Sequence, residues 1–232
     1  MLCTNRAFDI SRSNPKDFLL FIVKMTNNIK QIEKEIKMSK LNDVVLNQLF
    51  TEARTVHGFL PEKISDVQIQ ELYDLVKWAP TAFNGQPARF VFIKTNEGKE
   101  RLKPALTPGN VPQVESAAVT VIIAFDTQFF EHLPTQFTAS NAKALYENNP
   151  EAAQTFAMRN SSLQGAYLMM GARALGYDCG AMSGFDAAKV NEAFFPEGRF
   201  KANFLMNIGR ADIKAIWPRG PRLAFDQVAK II

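Results

Sequence analysis

Residues 78–94 read WAPTAFNGQPARFVFIK. A periodic apolar segment ends at Trp78, Pro80 and Pro87 bar a regular helix, and 89–94 is a run of strand-forming residues. Asn84-Gly85 between the prolines marks a turn. A helix that ends in such a turn and passes straight into a strand sets backbone N–H and C=O groups beside short polar side chains. A flat ligand can lie against that surface.

Upstream, Ser65 is placed to cap a helix whose apolar face carries Ile69, Leu72, Leu75 and Val76. A stripe of Leu41, Val45, Leu46, Leu49 and Phe50 predicts a helix over 42–54. Downstream, a short helix over 97–106 is broken at Pro108-Gly109. The continuous run VTVIIAF over 119–125 predicts a strand buried on both faces. Residues 127–150 have weak periodicity and read as an excursion or lid. A helix over 151–175, rich in Ala, Gly, Ser and Met, ends at Gly176. A helix over 186–194, a third strand over 200–208 and a short apolar helix or strand over 225–232 complete the chain.

With 232 residues and 47% hydrophobic content, one domain with a full core is expected. Two cysteines, Cys3 and Cys179, make no disulfide framework, so a reducing, cytoplasmic setting is expected. Cys179 lies in a run of small residues and reads as a buried thiol. His57 and His132 are the only imidazoles, and no spacing of ligands fits zinc or calcium.

The net charge of +4 is unevenly placed. Residues 1–40 carry eight Lys or Arg and four acids; removing these from totals of 27 and 23 leaves 19 of each sign. A neutral body argues against nucleic-acid binding. The apolar run 18–23 is much too short to span a bilayer, so no membrane partner is expected. Residues 27–40 read as a polar helix with Ile29, Ile32 and Ile36 on one stripe. Residues 1–40 are thus an N-terminal extension, either a packing or loosely ordered arm or, in part, non-native sequence ahead of a start at Met25 or Met38. The main domain is 41–232.

Three separated segments carry a resemblance: Ala53-Arg54-Thr55-Val56-His57-Gly58-Phe59, the stretch 78–94, and Met182-Ser183-Gly184-Phe185-Asp186. In this order they resemble the nitroreductase family, FMN-dependent oxidoreductases that work as homodimers. The resemblance implies an α+β fold: a central, mostly antiparallel sheet flanked by helices, in an intertwined homodimer with FMN at the subunit interface. The small-residue stripe Ala157, Ser161, Gly165, Leu168 and Ala172 would then be the middle of the dimer; on pattern alone it is a core helix, and both readings stay open.

The flavin phosphate needs fixed cations, and Arg54, Arg219 and Arg222 are the candidates. The family's opening motif has two basic residues and a Ser; here Arg54 and Thr55 match, while Ala53 replaces the first basic residue. His57 stands where Arg or Lys often reaches the pyrimidine edge. Pro80, Thr81, Ala82 and Asn84 are expected along the ribityl chain and dimethylbenzene edge, some reaching the partner's site. Asn110 matches an Asn beside the pyrimidine portion, Gln113 replaces a common Lys, and Ser183-Gly184 matches the loop whose N–H points at flavin N5.

The activity implied is ping-pong hydride transfer from NADPH or NADH to a small-molecule substrate, with no dedicated catalytic side chain. No Gly-x-Gly-x-x-Gly fingerprint opens a helix. Over 41–232 the chain looks similar to a subgroup of malonic semialdehyde (3-hydroxypropanoate) reductases of pyrimidine degradation, through KWAPT, PAR, EGKERL, RNSS and MSGFD. Arg159, inside RNSS, is the candidate for the substrate carboxylate. The alternatives are a broad nitroaromatic or quinone reductase and a non-catalytic flavin-binding protein.

Overall fold

Every residue of VTVIIAFD, Val119–Asp126, is buried in the computed structural model, which describes residues 39–232. This strand, β2, lies within a four-stranded antiparallel sheet with β1 (Ala88–Ile93), β3 (Asp178–Met182) and β4 (Phe200–Gly209), in the order β1-β2-β4-β3. The helices are α1 (Asp43–Leu46), α2 (Asp66–Val76), α3 (Asn96–Leu102), α4 (Val111–Ser116), α5 (Leu133–Gln136), α6 (Pro150–Ala174), α7 (Ala187–Phe194) and α8 (Phe225–Val228). An antiparallel sheet commonly leaves one face to water. Here alternate residues of β2 serve two cores: Val121 and Ile123 meet Leu168 and Ala172 of α6, while Ile122 and Ala124 meet Leu102, Val114 and Val190 of α3, α4 and α7. Fully burying one such side chain is worth roughly 1.5–3 kcal/mol. An unbroken apolar strand is therefore stable only between two helical layers.

The small-residue stripe of α6 is a core face. A Cβ on Gly165 would lie 2.5 Å from the Phe204 ring, and one on Gly171 would lie 2.3 Å from Val76. The stripe thus fits against the sheet and α2 of its own chain, as the core-helix reading has it. The opposite side of α6 leaves Met158, Leu163 and Tyr167 exposed.

The capped helix after Ser65 forms as expected, with a capping box between Ser65 and Gln68. Such a cap typically contributes about 1 kcal/mol. Leu72 and Val76 are buried, but Leu75 is exposed, because it lies at the edge of the stripe that meets Gly171. The helix expected over 42–54 is shorter: α1 passes into a π-helical turn, Asn47–Thr51, and Phe50 is exposed. The helix expected over 97–106 is α3 followed by a 3-10 turn, Lys103–Ala105, where Pro104 tightens the chain. Strand β3 was not expected, so the strand over 200–208 is the fourth and not the third. DCGAM carries no β-branched or aromatic residue, and β3 forms by pairing with β4. The 225–232 segment holds one helical turn, α8, with exposed side chains. The polar helix expected over 27–40 falls almost wholly on residues 1–38, outside the described residues.

The 127–150 excursion has a core of its own. Phe129 is fully buried and stacks on Phe156 at 4.3 Å between ring centroids, with Tyr146 against both. At its base the fully buried Asp126 carboxylate accepts from Arg89 at 2.7 Å, from Arg199 at 2.9 and 3.0 Å, and from the Gln128 N–H at 2.9 Å. One carboxylate therefore ties the start of β1, the end of β2 and the approach to β4.

Candidate functional site

The segment Ala53 to His57 lies between β3 and the returning C-terminal stretch. Thr55 bridges Cys179 in parallel, Val56 donates its N–H to the Cys179 carbonyl at 3.1 Å, and Val56 bridges Ile216 in antiparallel fashion. A Cβ on Gly180 would stand 2.3 Å from the Val56 carbonyl oxygen, so only glycine lets the segment come this close. The result is a hollow of about 400 Å³ whose wall includes Arg54, Thr55, His57, Arg173, Arg219 and Arg222. Residues 165 positions apart in sequence thus meet.

The hollow's electrostatics are one-sided. Arg54 donates to the carbonyls of Thr51, Glu52 and Ala53, Arg219 to those of Thr51 and Ala53, Arg222 to those of Gly220 and Pro221, and Arg173 to that of Leu49. Among the described residues none of these guanidiniums forms a salt bridge, and no acid lines the hollow. Four cations held by neutral carbonyls favour an anion. His57 stacks on Trp217 at 4.0 Å and 13°, and its buried Nδ1 has no hydrogen-bond partner. A buried polar atom without a partner costs about 1–3 kcal/mol, so a ligand supplying one would be stabilised here.

A second group lies farther along β3. Thr107 and Asn110 donate to the Gly184 carbonyl at 2.9 and 2.8 Å, and Gln113 donates to Asn110 Oδ1 at 3.1 Å. These bonds, with the Leu106–Phe185 bridge, fix the 183–185 loop. Gly184 is half-buried, and its N–H has no acceptor among the described residues. A Cβ there would stand 2.7 Å from Asn110 Nδ2. From Cys179, beside the cationic hollow, to Gly184 is five residues, at most roughly 17 Å of extended chain. An elongated ligand with an anionic end matches that separation.

The third group is the 80–86 turn. The Ala82 N–H donates to Asn160 Oδ1 at 2.9 Å, the Gln86 N–H to Thr81 Oγ1 at 3.1 Å, and Asn84 Nδ2 to the Gln136 carbonyl at 3.2 Å. Phe83, Asn84 and Gln86 have φ of 50°, 50° and 40°, whereas Gly85 has an ordinary φ of −74°. Non-glycine residues in the left-handed region cost of order 1–3 kcal/mol each and cluster at ligand sites. Gly85 serves closeness instead: a Cβ would meet the Phe156 ring at 2.9 Å. Pro80 and Ala82 are exposed. Among the described residues no hydrogen bond joins this turn to Arg54, Thr55 or His57, and it does not line their hollow.

Arg159 does not line the cationic hollow, though the next residue, Asn160, accepts from Ala82 of the 80–86 turn. Arg159 is exposed on α6 and lines a surface depression with Tyr146, Asn149, Glu151, Thr155 and Phe156. No salt bridge to Glu151 or Asp186 forms. Cys179 is buried, and burial pushes its thiol up to about 12, so it offers no thiolate at neutral pH. Sequence reasoning missed Arg173 and Trp217. The signal available for Arg173 was its place as the one basic residue in the last turn of α6.

Sheet, hollow and loop together define an α+β protein with a cationic hollow suited to an anionic group. The chain belongs to the nitroreductase family, whose pattern matches residues 51–210. Two curated relatives share the name "Putative NADH dehydrogenase/NAD(P)H nitroreductase". One, from Stenotrophomonas maltophilia (strain R551-3), is 53% identical over 82% of this chain and 97% of its own. The other, from Polynucleobacter asymbioticus, is 50% identical over 84% of this chain and 99% of its own. Among solved structures, CLA-ER, an enone reductase of gut-bacterial fatty acid saturation, aligns with a TM-score of 0.72 and 28% identity over 83% of this chain and 99% of its own. A nitroreductase-fold protein from Exiguobacterium sibiricum 255-15, in complex with FMN, aligns with a TM-score of 0.73 and 25% identity over 84% of this chain and 100% of its own. No helix among the described residues is long and apolar enough to cross a membrane.

Proposed function

We propose that this protein is an FMN-dependent oxidoreductase that uses NADPH or NADH to reduce a small carbonyl acid, malonic semialdehyde, to 3-hydroxypropanoate. The observation that carries the cofactor is the hollow with four guanidiniums free of acids and an orphaned His57 Nδ1. Arg54, Arg219 and Arg222 would hold the phosphate, and Thr55 lies beside them. His57, Asn110 and Gln113 would meet the pyrimidine edge, and the Ser183-Gly184 loop with its unused N–H would meet the ring. When bound, FMN would supply hydride transfer between the nicotinamide and the second substrate. The chain's own contribution is to fix the ligand's two ends and to donate hydrogen bonds along one edge. With no cation at Ala53 or Gln113, His57, whose buried Nδ1 has no partner, would supply a hydrogen bond to the pyrimidine edge.

A homodimer completes this reading. The C-terminal stretch exposes Trp217, Leu223, Phe225, Val228 and Ile231 with no core of its own, and α6 exposes Met158, Leu163 and Tyr167. Apolar area of this extent is typically covered by a partner. Pro80, Thr81, Ala82 and Asn84 stand outside the hollow of their own chain; in a two-fold pair they would border the hollow of the other copy.

For the semialdehyde, Arg159 is the cation proposed for the carboxylate, because it is exposed on α6 next to Asn160, which holds the 80–86 turn, and has no salt bridge among the described residues. Replacing it with Ala is expected to raise KM for malonic semialdehyde at least tenfold while leaving KM for a nitroarene unchanged. Steady-state turnover of both acceptors with NADPH checks this. An unchanged semialdehyde KM removes the carboxylate role. A wild-type preference for the nitroarene favours a broad nitroaromatic or quinone reductase, the reading supported by the relatives' names.

A further inference from the structure

Where the family resemblance places a first basic residue, this chain has Ala53, and Arg173 lines the same hollow. Ala53, Arg54 and Arg173 line both the cationic hollow and an adjoining one that reaches Asp178 and Arg210. Arg210 is engaged by Glu62 at 3.5 Å, and Asp178 accepts the Ala211 N–H at 2.9 Å. Arg173 forms no such pair. Its Nη1 donates to the Leu49 carbonyl at 3.1 Å and lies 4.0 Å from the Met170 sulfur, while Gln48 Nε2 donates to the Arg173 main-chain carbonyl at 2.6 Å. The guanidinium is therefore met by neutral groups, and among the described residues no acid pairs with it. The small side chain of Ala53 leaves that wall of the hollow open.

We propose that Arg173, at the end of the long helix, supplies a further phosphate cation beside Arg54, in place of the one that residue 53 no longer provides. The inference rests on the flavin reading above and names a residue that the resemblance does not assign. A cation at this place also offsets the negative end of the helix, so a purely structural role must be separated from a binding role. A guanidinium facing a phosphate discriminates between FMN and riboflavin, which share the ring and ribityl chain and differ only in that group. A residue that merely holds the hollow's shape affects both alike.

The test measures FMN and riboflavin affinity of the apoprotein by quenching of flavin fluorescence, for the wild type, Arg173→Gln and Arg173→Lys, with thermal melts of each apoprotein. The expected result is at least a tenfold weaker Kd for FMN in Arg173→Gln, an unchanged Kd for riboflavin, and most of the FMN affinity kept in Arg173→Lys. Should Arg173→Gln melt below the assay temperature, Arg173→Lys decides, with an FMN-selective loss of a few-fold expected from the missing fork of donors. Equal losses for the two flavins, or no loss for either, overturn the proposal while leaving the flavin reading intact. A wild-type protein that binds riboflavin and FMN equally well also overturns it. A wild type that binds neither removes the flavin reading itself.

Discussion

Gly180→Ala is expected to lower FMN affinity at least tenfold and to destabilise the protein by about 1–3 kcal/mol, the usual range for overpacking. The added methyl would stand 2.3 Å from the Val56 carbonyl oxygen, which is backbone and cannot rotate away. Either β3 or the 53–57 segment must shift. Both outcomes weaken the Val56–Cys179 hydrogen bond and move Arg54, Thr55 and His57 relative to Arg219 and Arg222. Gly109→Ala is the matched control, since a Cβ there meets nothing within 4 Å. It is expected to stay within about 0.5 kcal/mol of the wild type. Flavin fluorescence titration and thermal melts measure both effects; equal behaviour of the two variants would show that the close approach at Gly180 does not shape the hollow.

The second large effect concerns Asp126. Asp126→Ala removes a fully buried carboxylate, leaving Arg89 without an ion-pair partner and Arg199 with Glu131 alone, at 2.9 Å. Breaking a buried pair from one side costs about 3–5 kcal/mol. The two guanidiniums keep side-chain exposures of 28% and 30%, so partial solvation places the cost near the lower end. With about 3 kcal/mol lost, Tm should fall by roughly 6–12 °C for a chain of this size. The excursion carrying Phe129 and Leu133 should loosen first, seen as faster amide exchange there than in β2. A Tm change below about 2 °C would mean that solvent already carries the charge of both arginines.

Much of the fold was legible because its signals were local. The Pro80–Pro87 turn into a strand, the Ser65 cap and the unbroken run of β2 each depend on neighbouring residues. Strand β3 was not legible, because DCGAM has no strand preference and forms only through pairing with β4. Nor could the stripe of α6 declare its partner: Gly165 and Gly171 read alike whether the close neighbour is Phe204, Val76 or another chain. The left-handed backbone of Phe83, Asn84 and Gln86 was hidden by the adjacent Gly85, the residue a turn rule would have chosen. For the site, resemblance picked out Arg54, Thr55, His57, Arg219 and Arg222, which the fold gathers around one hollow. Arg173 escaped because a basic residue at a helix end has an ordinary explanation, and only its place in the wall shared with Ala53 and Arg54 gives it another.

The most direct measurement is a visible spectrum of purified protein reconstituted with FMN, recorded before and after anaerobic addition of NADPH and then of an oxidised acceptor. Bound flavin that bleaches with NADPH and regains its colour with the acceptor is the expected result. Protein that takes up no FMN, or holds it and stays yellow with NADPH, would contradict the proposed reductase.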